Sequence, residues 1–468
     1  MSEALCLLDA SVRALTVIMK IILIMLAIQG IFCRVPIMII SIKNAFAIFL
    51  FSSLVLGSPL LLAQELKISP EVEIRFSAYG EATFAYFNYE QNQTGDNGAR
   101  ADHRLVFDTT RFAPKIEVML PLDFEVEAEI EFEHGGTGST LELEYEEFGE
   151  YENEVEQGGE VIVEELYLQK EIAHRGHIKI GRFYNALGLL SDLHKPNELI
   201  AAGRPESETT MIPAVWDEMG VEGVIYLNPV KITAQVLNGL DSTGFSSQSW
   251  VSTGQQRRFY SANARGLAGV LRVDIRPVAG VMAGVSAYRG DSNANRPKPD
   301  LALDCDDDSS VAACGFLGGN VSIIGAHFVL DERHVRARAS LLWGHLENAG
   351  AISERNKSLS NNLGVLRSAV AEQAVSAWAE VGVDVMSFID DSKWRIEPHV
   401  RAEYYDTMFK VAPGQFDAPR YERFVAAAGV GVDYQNMILS RLTARHRSFG
   451  DDGIRSQWDV VLSTGFNF

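Results

Sequence analysis

Sixteen segments of the chain after residue 63 alternate apolar with polar residues, and the connectors between these segments alternate in length. Successive side chains of a β-strand point to opposite faces, so a period of two predicts strands with one apolar face. Connectors in odd positions are long and rich in Gly, Asn, Asp and Ser, whereas those in even positions are short. The predicted strands are 72–90, 103–120, 123–134, 160–172, 177–187, 217–228, 230–241, 262–277, 279–290, 318–331, 333–346, 373–387, 393–407, 421–435, 437–449 and 455–468.

This regular alternation of long and short connectors predicts an up-and-down barrel. Bacterial transmembrane barrels have an even number of strands, short periplasmic turns and long external loops. A β-sandwich would mix long and short links irregularly, and closure removes the strand edges that lipid does not tolerate. We therefore expect residues 64–468 to form an all-β, sixteen-stranded antiparallel transmembrane β-barrel in the outer membrane.

The last eleven residues carry the cleanest alternation in the chain. One face of this segment is mostly apolar, while the other holds small or polar residues such as Asp459 and Asn467. Its length matches the 9 to 11 residues or so that a tilted transmembrane strand needs. The terminal Phe468 resembles the end of the closing strand in Gram-negative outer-membrane barrels, which implies recognition by the barrel-assembly machinery. The apolar face comprises Trp458, Val460, Leu462, Thr464, Phe466 and Phe468.

Residues 1–63 have the character of a targeting segment. Lys43 precedes an apolar stretch, Ala45 to Leu56, which is followed by small and turn-forming residues up to Ala63. This order matches a secretory signal with cleavage after Ala63. Because such signals are about 15 to 30 residues long, residues 1–37 are interpreted as an upstream extension. Two membrane helices are the alternative interpretation.

The expected mature chain is strongly acidic. Residues 1–63 contribute +2 to the total of −21, which leaves −23 for residues 64–468. Nucleic acid is an improbable partner for such a chain, since phosphates require basic surfaces. The sequence also lacks a Gly-x-Ser-x-Gly nucleophile elbow. We expect no catalytic residues, no cofactor and no enzymatic reaction.

Two cysteines, Cys305 and Cys314, fall within the predicted mature chain. An even pair in an exported protein predicts one disulfide, here closing a loop. The neighbouring acidic stretch Asp304–Asp308 could hold a divalent cation, since calcium prefers hard oxygen ligands. A solvated, disulfide-closed loop is the favoured interpretation, and no metal site is predicted.

Charged rows on several predicted strands are expected to face the barrel interior, because a charge on the lipid face near the midplane costs roughly 2 to 4 kcal/mol for a basic residue. Two sets of such residues are predicted to line a water-filled lumen and to set a transverse field across it. The glutamate row consists of Glu125, Glu127, Glu129, Glu131 and Glu133. The arginine wall consists of Arg336, Arg338, Arg395, Arg401, Arg441, Arg445 and Arg447.

The connector from Gly188 to Trp216 is the third long loop, and it is long enough to fold back into the barrel. Its mixed charges suit a constriction, although an ordinary exposed loop is the alternative. The candidate constriction residues are Asp192, His194, Lys195, Glu198 and Arg204.

Around this loop the sequence resembles the phosphate-selective porin O and P family. The resemblance is carried by Gly181-Arg182-Phe183, by Ala186-Leu187-Gly188, by Ile212-Pro213 and by Trp216-Asp217-Glu218-Met219-Gly220-Val221. It implies a sixteen-stranded trimeric porin whose channel is lined by arginines. The glutamate row and the acidic charge depart from that family, so its phosphate selectivity is not carried over.

The sequence therefore predicts a homotrimeric outer-membrane porin, surrounded by lipid, through which small hydrophilic or charged solutes diffuse passively. Two alternatives stay open. One is an uptake channel specific for an anion such as phosphate, which would show saturable block by its solute. The other is a plugged surface or adhesion barrel, which would show no ion conductance.

Overall fold

The described part of the chain forms one closed β-barrel. The computed structural model describes residues 66–69, 72–89, 102–136, 159–173, 175–256, 262–295, 317–357, 368–389 and 393–468. The predicted signal segment with its cleavage site, and the predicted Cys305–Cys314 disulfide, lie outside these residues. Each barrel strand pairs antiparallel with its neighbours in sequence, and the last strand pairs with the first, which closes the ring.

A short strand, β1 (Leu66–Ser69), pairs with the start of the first barrel strand. The sixteen strands of the barrel follow in chain order. They are β2 (Val72–Tyr89), β3 (Asp102–Leu120), β4 (Phe124–Glu133), β5 (Val161–Glu171), β6 (Gly176–Tyr184), β7 (Asp217–Leu227), β8 (Val230–Asn238), β9 (Leu267–Ile275), β10 (Val281–Asp291), β11 (Asn320–Asp331), β12 (Val335–Leu346), β13 (Gln373–Val383), β14 (Trp394–Lys410), β15 (Glu422–Tyr434), β16 (Ile438–Phe449) and β17 (Gln457–Asn467).

All sixteen predicted strands are confirmed, and most of their ends agree within three residues. The predicted segment 262–277 begins five residues too early, because 262–266 belong to the preceding loop. The segment 373–387 ends four residues too late. There the Asp384 side chain accepts a hydrogen bond from the Met386 amide at 3.0 Å, and a 3₁₀ turn, Met386–Phe388, replaces the end of the strand.

The seam between β17 and β2 is sealed by the C-terminal residues. Phe468 and Ala78 exchange two backbone hydrogen bonds, of 2.9 and 3.0 Å. The ring of Phe466 lies over Gly80, where an added Cβ would come within 2.7 Å of the ring. Glycine at this position lets an aromatic side chain cover the seam on the outer face.

The outer face of the barrel is an apolar belt. Large hydrophobic side chains on nearly every strand are exposed there, including Ile324 (56%) and Leu271 (52%) near the middle of their strands. Such a surface is stable against hydrocarbon and unfavourable in water. The alternation predicted for the last strand is confirmed, since Trp458, Leu462 and Phe466 are exposed while Asp459 and Ser463 are buried.

Replacing Leu271 with arginine is expected to destabilise the barrel by roughly 2 to 4 kcal/mol, because the charge is placed in the lipid belt. The measurement is equilibrium urea unfolding of residues 64–468 refolded in phospholipid vesicles. Leu122→Arg is the matched control, since Leu122 is exposed in the turn between β3 and β4, outside the strands. An equal loss of stability in both variants would contradict the assignment of the apolar belt to lipid.

Three of the long loops have described residues packed inside the barrel. We call them L3 (residues 185–216), L4 (239–266) and L6 (347–372). L3 contains helix α1 (Glu206–Met211) and L6 contains helix α2 (Ala349–Lys357). In the residues that the structure describes, neither of these helices nor any other is long and apolar enough to cross a membrane.

L3, L4 and L6 build an apolar core against the inner face of strands β5 to β13. Trp250 of L4 is fully buried, and its indole N–H donates to the Ala371 carbonyl of L6 at 3.1 Å. Trp216, at the end of L3, packs on Tyr288 with ring centroids 4.8 Å apart. This half of the barrel interior is therefore filled with hydrophobic side chains, in the manner of a soluble core.

Candidate functional site

Loop L3 crosses the barrel interior and is held there mainly by arginines of the arginine wall. Arg336 of β12 donates to the Asn197 and Glu198 carbonyls at 3.2 and 3.0 Å. On β16, Arg441 donates to the Leu199 carbonyl at 2.7 Å. These guanidinium groups are used to bind the loop backbone.

A buried ion pair fixes the middle of L3. Arg401 and Glu380 lie 2.7 Å apart, and both side chains are completely buried. The Glu380 carboxylate also accepts from the Ile200 and Ala201 amides at 3.0 and 3.3 Å, while Arg401 donates to the Gly203 carbonyl at 3.0 Å. Each charge therefore has both an opposite charge and hydrogen bonds to the loop.

Helix α1 is held through two of its glutamates. The Glu208 carboxylate accepts from the Leu189 and Leu190 amides at 2.8 and 3.0 Å, and from the indole N–H of Trp378 on β13 at 2.6 Å. Glu206 forms an ion pair with Arg447 of β16. The nearby Arg447 guanidinium outweighs the effect of burial and lowers the pKa of Glu206 to about 2. Glu206 is thus ionised at neutral pH.

The other end of L3 is anchored on β9. Arg272, which is 1% exposed, donates to the Gly188 carbonyl at 3.1 Å and lies 2.6 Å from the Asp192 carboxylate. Asp274, on the same strand, binds both Arg272 and His327. L3 therefore contacts strands from β9 to β16.

The remaining arginines of the arginine wall are paired with carboxylates of the barrel. Arg338 lies 2.6 Å from Asp331, and Arg445 lies 2.6 Å from Asp459. Arg395 is 3.7 Å from Asp433, near the short turns. All seven arginines lie on the inward face of their strands, where L3 and neighbouring carboxylates contact them.

The glutamate row faces inward on the opposite side of L3. The Glu127 carboxylate is 2.6 Å from the Lys115 ammonium of β3 and accepts from the Tyr167 hydroxyl at 2.7 Å. Glu125 accepts from Gln169 at 3.1 Å. Glu133 ends the row near the long loops, opposite Arg111 in the strand pairing. The two remaining members, Glu129 and Glu131, are each 1% exposed.

Two further inward glutamates, Glu164 and Glu165, do not follow from the sequence pattern. The pairing of β4 with β5 shifts by one residue between Glu129 and Ile130, which marks a β-bulge. A bulge lets two consecutive residues oppose one partner, and both carboxylates are buried as a result. Strict alternation would place one of them in lipid. The adjacent acidic pair in the sequence is the only local sign of the bulge.

Three predicted constriction residues of L3 face the wall formed by strands β2 to β6. The His194 ring packs on Tyr184 with centroids 4.7 Å apart, and the Lys195 ammonium lies 5.9 Å from the centre of the Tyr79 ring. Arg204 comes within 3.9 Å of Glu131. Burial, together with the nearby Arg204 and Arg111, holds the pKa of His194 well below its usual range. His194 is therefore neutral at pH 7.

The other two predicted constriction residues lie elsewhere. Asp192 binds Arg272 on β9, as described above. Glu198 accepts from the Lys195 amide at 3.0 Å and borders the cavity at the short-turn end. Burial raises the pKa of Glu198 above its ordinary value. The five residues are thus distributed over both faces of L3.

Two polar cavities lie at the two ends of the interior. The larger, of about 820 Å³, is at the short-turn end and is lined by Arg336, Arg395, Glu198 and neighbouring residues. The smaller, of about 150 Å³, is at the long-loop end and is lined by Glu131, Glu164 and Arg204 among others. L3 residues border both cavities.

Comparisons with known proteins give distant likenesses. No protein-family profile matches the chain, and no curated protein matches it. Among solved structures, OmpF of Salmonella typhi in complex with daunomycin is 11% identical, with a TM-score of 0.49 over 86% of this chain and 100% of that chain. The outer membrane channel DcaP of Acinetobacter baumannii is 10% identical, with a TM-score of 0.48 over 86% and 99%. An anion-selective porin from Comamonas acidovorans is 10% identical, with a TM-score of 0.46 over 85% and 100%. The closed ring of strand pairs defines the fold of this chain.

Proposed function

We propose that residues 64–468 form an outer-membrane porin that lets small hydrophilic solutes diffuse passively past loop L3. The observation that carries this proposal is the polar character of the space between L3 and the wall of strands β2 to β6. Within the described ranges, several buried charged atoms there have no hydrogen-bond partner, including Arg111 Nη1, Glu131 Oε1 and Arg204 Nη2. Such groups require water or a passing solute to satisfy them.

The proposed path is narrow and acidic. Five carboxylates of β4 and β5 are buried there, those of Glu127, Glu129, Glu131, Glu164 and Glu165. Among the described residues, Lys115 lies within 4 Å of Glu127 and Glu165, and Arg204 lies within 4 Å of Glu131. The guanidinium groups of the arginine wall bind L3 and carboxylates of the barrel strands. We therefore propose a preference for cations, since rings of carboxylates favour positive ions.

Single-channel recording in planar bilayers tests this function. We expect small conductance steps from the refolded chain, because L3 narrows the proposed path. In a salt gradient, we expect a reversal potential whose sign indicates cation selectivity. Buffer containing only detergent is the control for leaks. The absence of steps would overturn the porin proposal. It would favour the competing function, an adhesion barrel plugged by the apolar core of L3, L4 and L6.

An anion-specific channel of the phosphate-selective porin O and P type is the third possibility, and the inward arginines support it. This function requires a reversal potential that indicates anion selectivity, and saturable block of the chloride current by phosphate. The same resemblance supports a homotrimer, which chemical cross-linking of the refolded protein would test. We also propose that Phe468 is recognised by the barrel-assembly machinery during insertion. Deleting Phe468 should then slow insertion in cells.

A further inference from the structure

The 150 Å³ cavity at the long-loop end of L3 is bordered by two carboxylate oxygens that have no hydrogen-bond donor among the described residues. Glu131 and Glu164 both border this cavity and are 1% and 0% exposed. In each residue the oxygen is Oε1, and no residue in the described part of the chain donates to it. A buried carboxylate oxygen without a donor is costly. The site is therefore incomplete without a positively charged or proton-donating occupant.

The charged residues around the cavity indicate the charge of the ligand that it would bind. Two buried carboxylates border the cavity, those of Glu131 and Glu164, together with the guanidinium of Arg204. With these three groups ionised, the formal charge is −1. Arg204 stays 3.9 Å from Glu131 and makes no close hydrogen bond to it. A cation bound by both carboxylates would balance this negative charge.

Nearer the short-turn end of β4 and β5, a second group of carboxylates is balanced by a lysine. Carboxylate oxygens of Glu127, Glu129 and Glu165 lie within 4.8 Å of one another. The Lys115 ammonium is 2.6 Å from Glu127 and 3.9 Å from Glu165, so that cluster contains its own cation. The Glu131–Glu164 pair has no comparable ammonium among the described residues.

We propose that Glu131 and Glu164 bind a divalent cation of the calcium type at the long-loop side of L3. The available ligands are hard oxygens, which suit calcium better than a transition metal. Besides the carboxylates, the hydroxyls of Ser252 and Thr253 in L4 border the cavity. The physiological meaning of the site rests on the proposed porin function, in which the bound ion would obstruct monovalent current.

Calorimetric titration of the detergent-refolded chain with calcium chloride tests binding without requiring conduction. We expect one site per chain, with affinity at least tenfold weaker in the Glu131→Gln/Glu164→Gln variant. Glu354→Gln is the matched control, since Glu354 is 72% exposed on α2 and does not border the cavity. The control should bind calcium like the parent chain.

Bilayer recording of the same proteins separates this proposal from the porin proposal. Calcium added on the long-loop side should reduce potassium current, and the half-blocking concentration should rise at least tenfold in the double variant. Binding without any conductance would overturn the porin function and support the site. Unchanged binding in the double variant, or none in the parent chain, would overturn the site.

Discussion

Arg401→Ala is expected to lower the free energy of unfolding by roughly 3 to 5 kcal/mol, because it leaves the fully buried Glu380 carboxylate without its opposite charge. The two L3 amides that bind Glu380 do not replace a guanidinium only 2.7 Å away. Gly203 also loses the donor to its carbonyl. The measurement is equilibrium urea unfolding in vesicles, followed by tryptophan fluorescence.

Arg289→Ala provides the matched control for this prediction. Arg289 of β10 pairs with Glu347 at 3.0 Å, but its side chain is 65% exposed. Exposed pairs contribute about 1 kcal/mol or less. If both variants unfold at the same urea concentration, the Arg401–Glu380 pair contributes no more than a surface pair. The second substitution Glu380→Gln, made alone and with Arg401→Ala, would measure the coupling between the two residues.

Glu208→Ala is expected to raise the single-channel conductance several-fold and to make it fluctuate, because L3 loses its central acceptor. The variant leaves the Leu189 and Leu190 amides and the Trp378 indole N–H without their partner in a buried site. Each unsatisfied buried donor costs about 1 to 3 kcal/mol. The loop can recover these hydrogen bonds by moving into the aqueous lumen.

Glu354→Ala is the control for this measurement, since Glu354 has the same side chain but is 72% exposed on α2. Its conductance should equal that of the parent chain. The conductance of the Glu208→Gln variant should lie between that of Glu208→Ala and that of the parent chain. Its amide oxygen can replace one carboxylate oxygen, but its NH₂ group is a donor and faces another donor. Parental conductance in Glu208→Ala would show that L3 does not set the width of the path.

The barrel was predictable from the sequence because its determinants are local and periodic. Alternation fixes which face of a strand meets lipid, so the inward direction of Arg401 and Glu127 follows from apolar neighbours two positions apart. Connector lengths fix the order of the strands. The closure of the barrel at β17 was predictable from the last strand, because its aromatic residues lie on one face.

The interior was less predictable because its contacts join distant parts of the chain. Nothing near Arg441 indicates that the Leu199 carbonyl will occupy its guanidinium. Leu189 and Trp250 resemble ordinary loop residues in the sequence, yet both are fully buried in the barrel. The bulge at Glu164 also depends on the register with β4, which alternation alone does not reveal.

The span of L3 across the interior has a consequence for the order of assembly. The loop is synthesised before β9, but its docking partners extend to Thr443, whose hydroxyl accepts from the Ala202 amide 241 residues earlier. Contacts of such sequence separation form late in folding. L3 therefore cannot settle until β16 is in place, one strand before the ring closes. The final strands that seal the wall against lipid therefore also fix the position of the loop inside it, so the width of the passage is set only when the barrel is nearly closed.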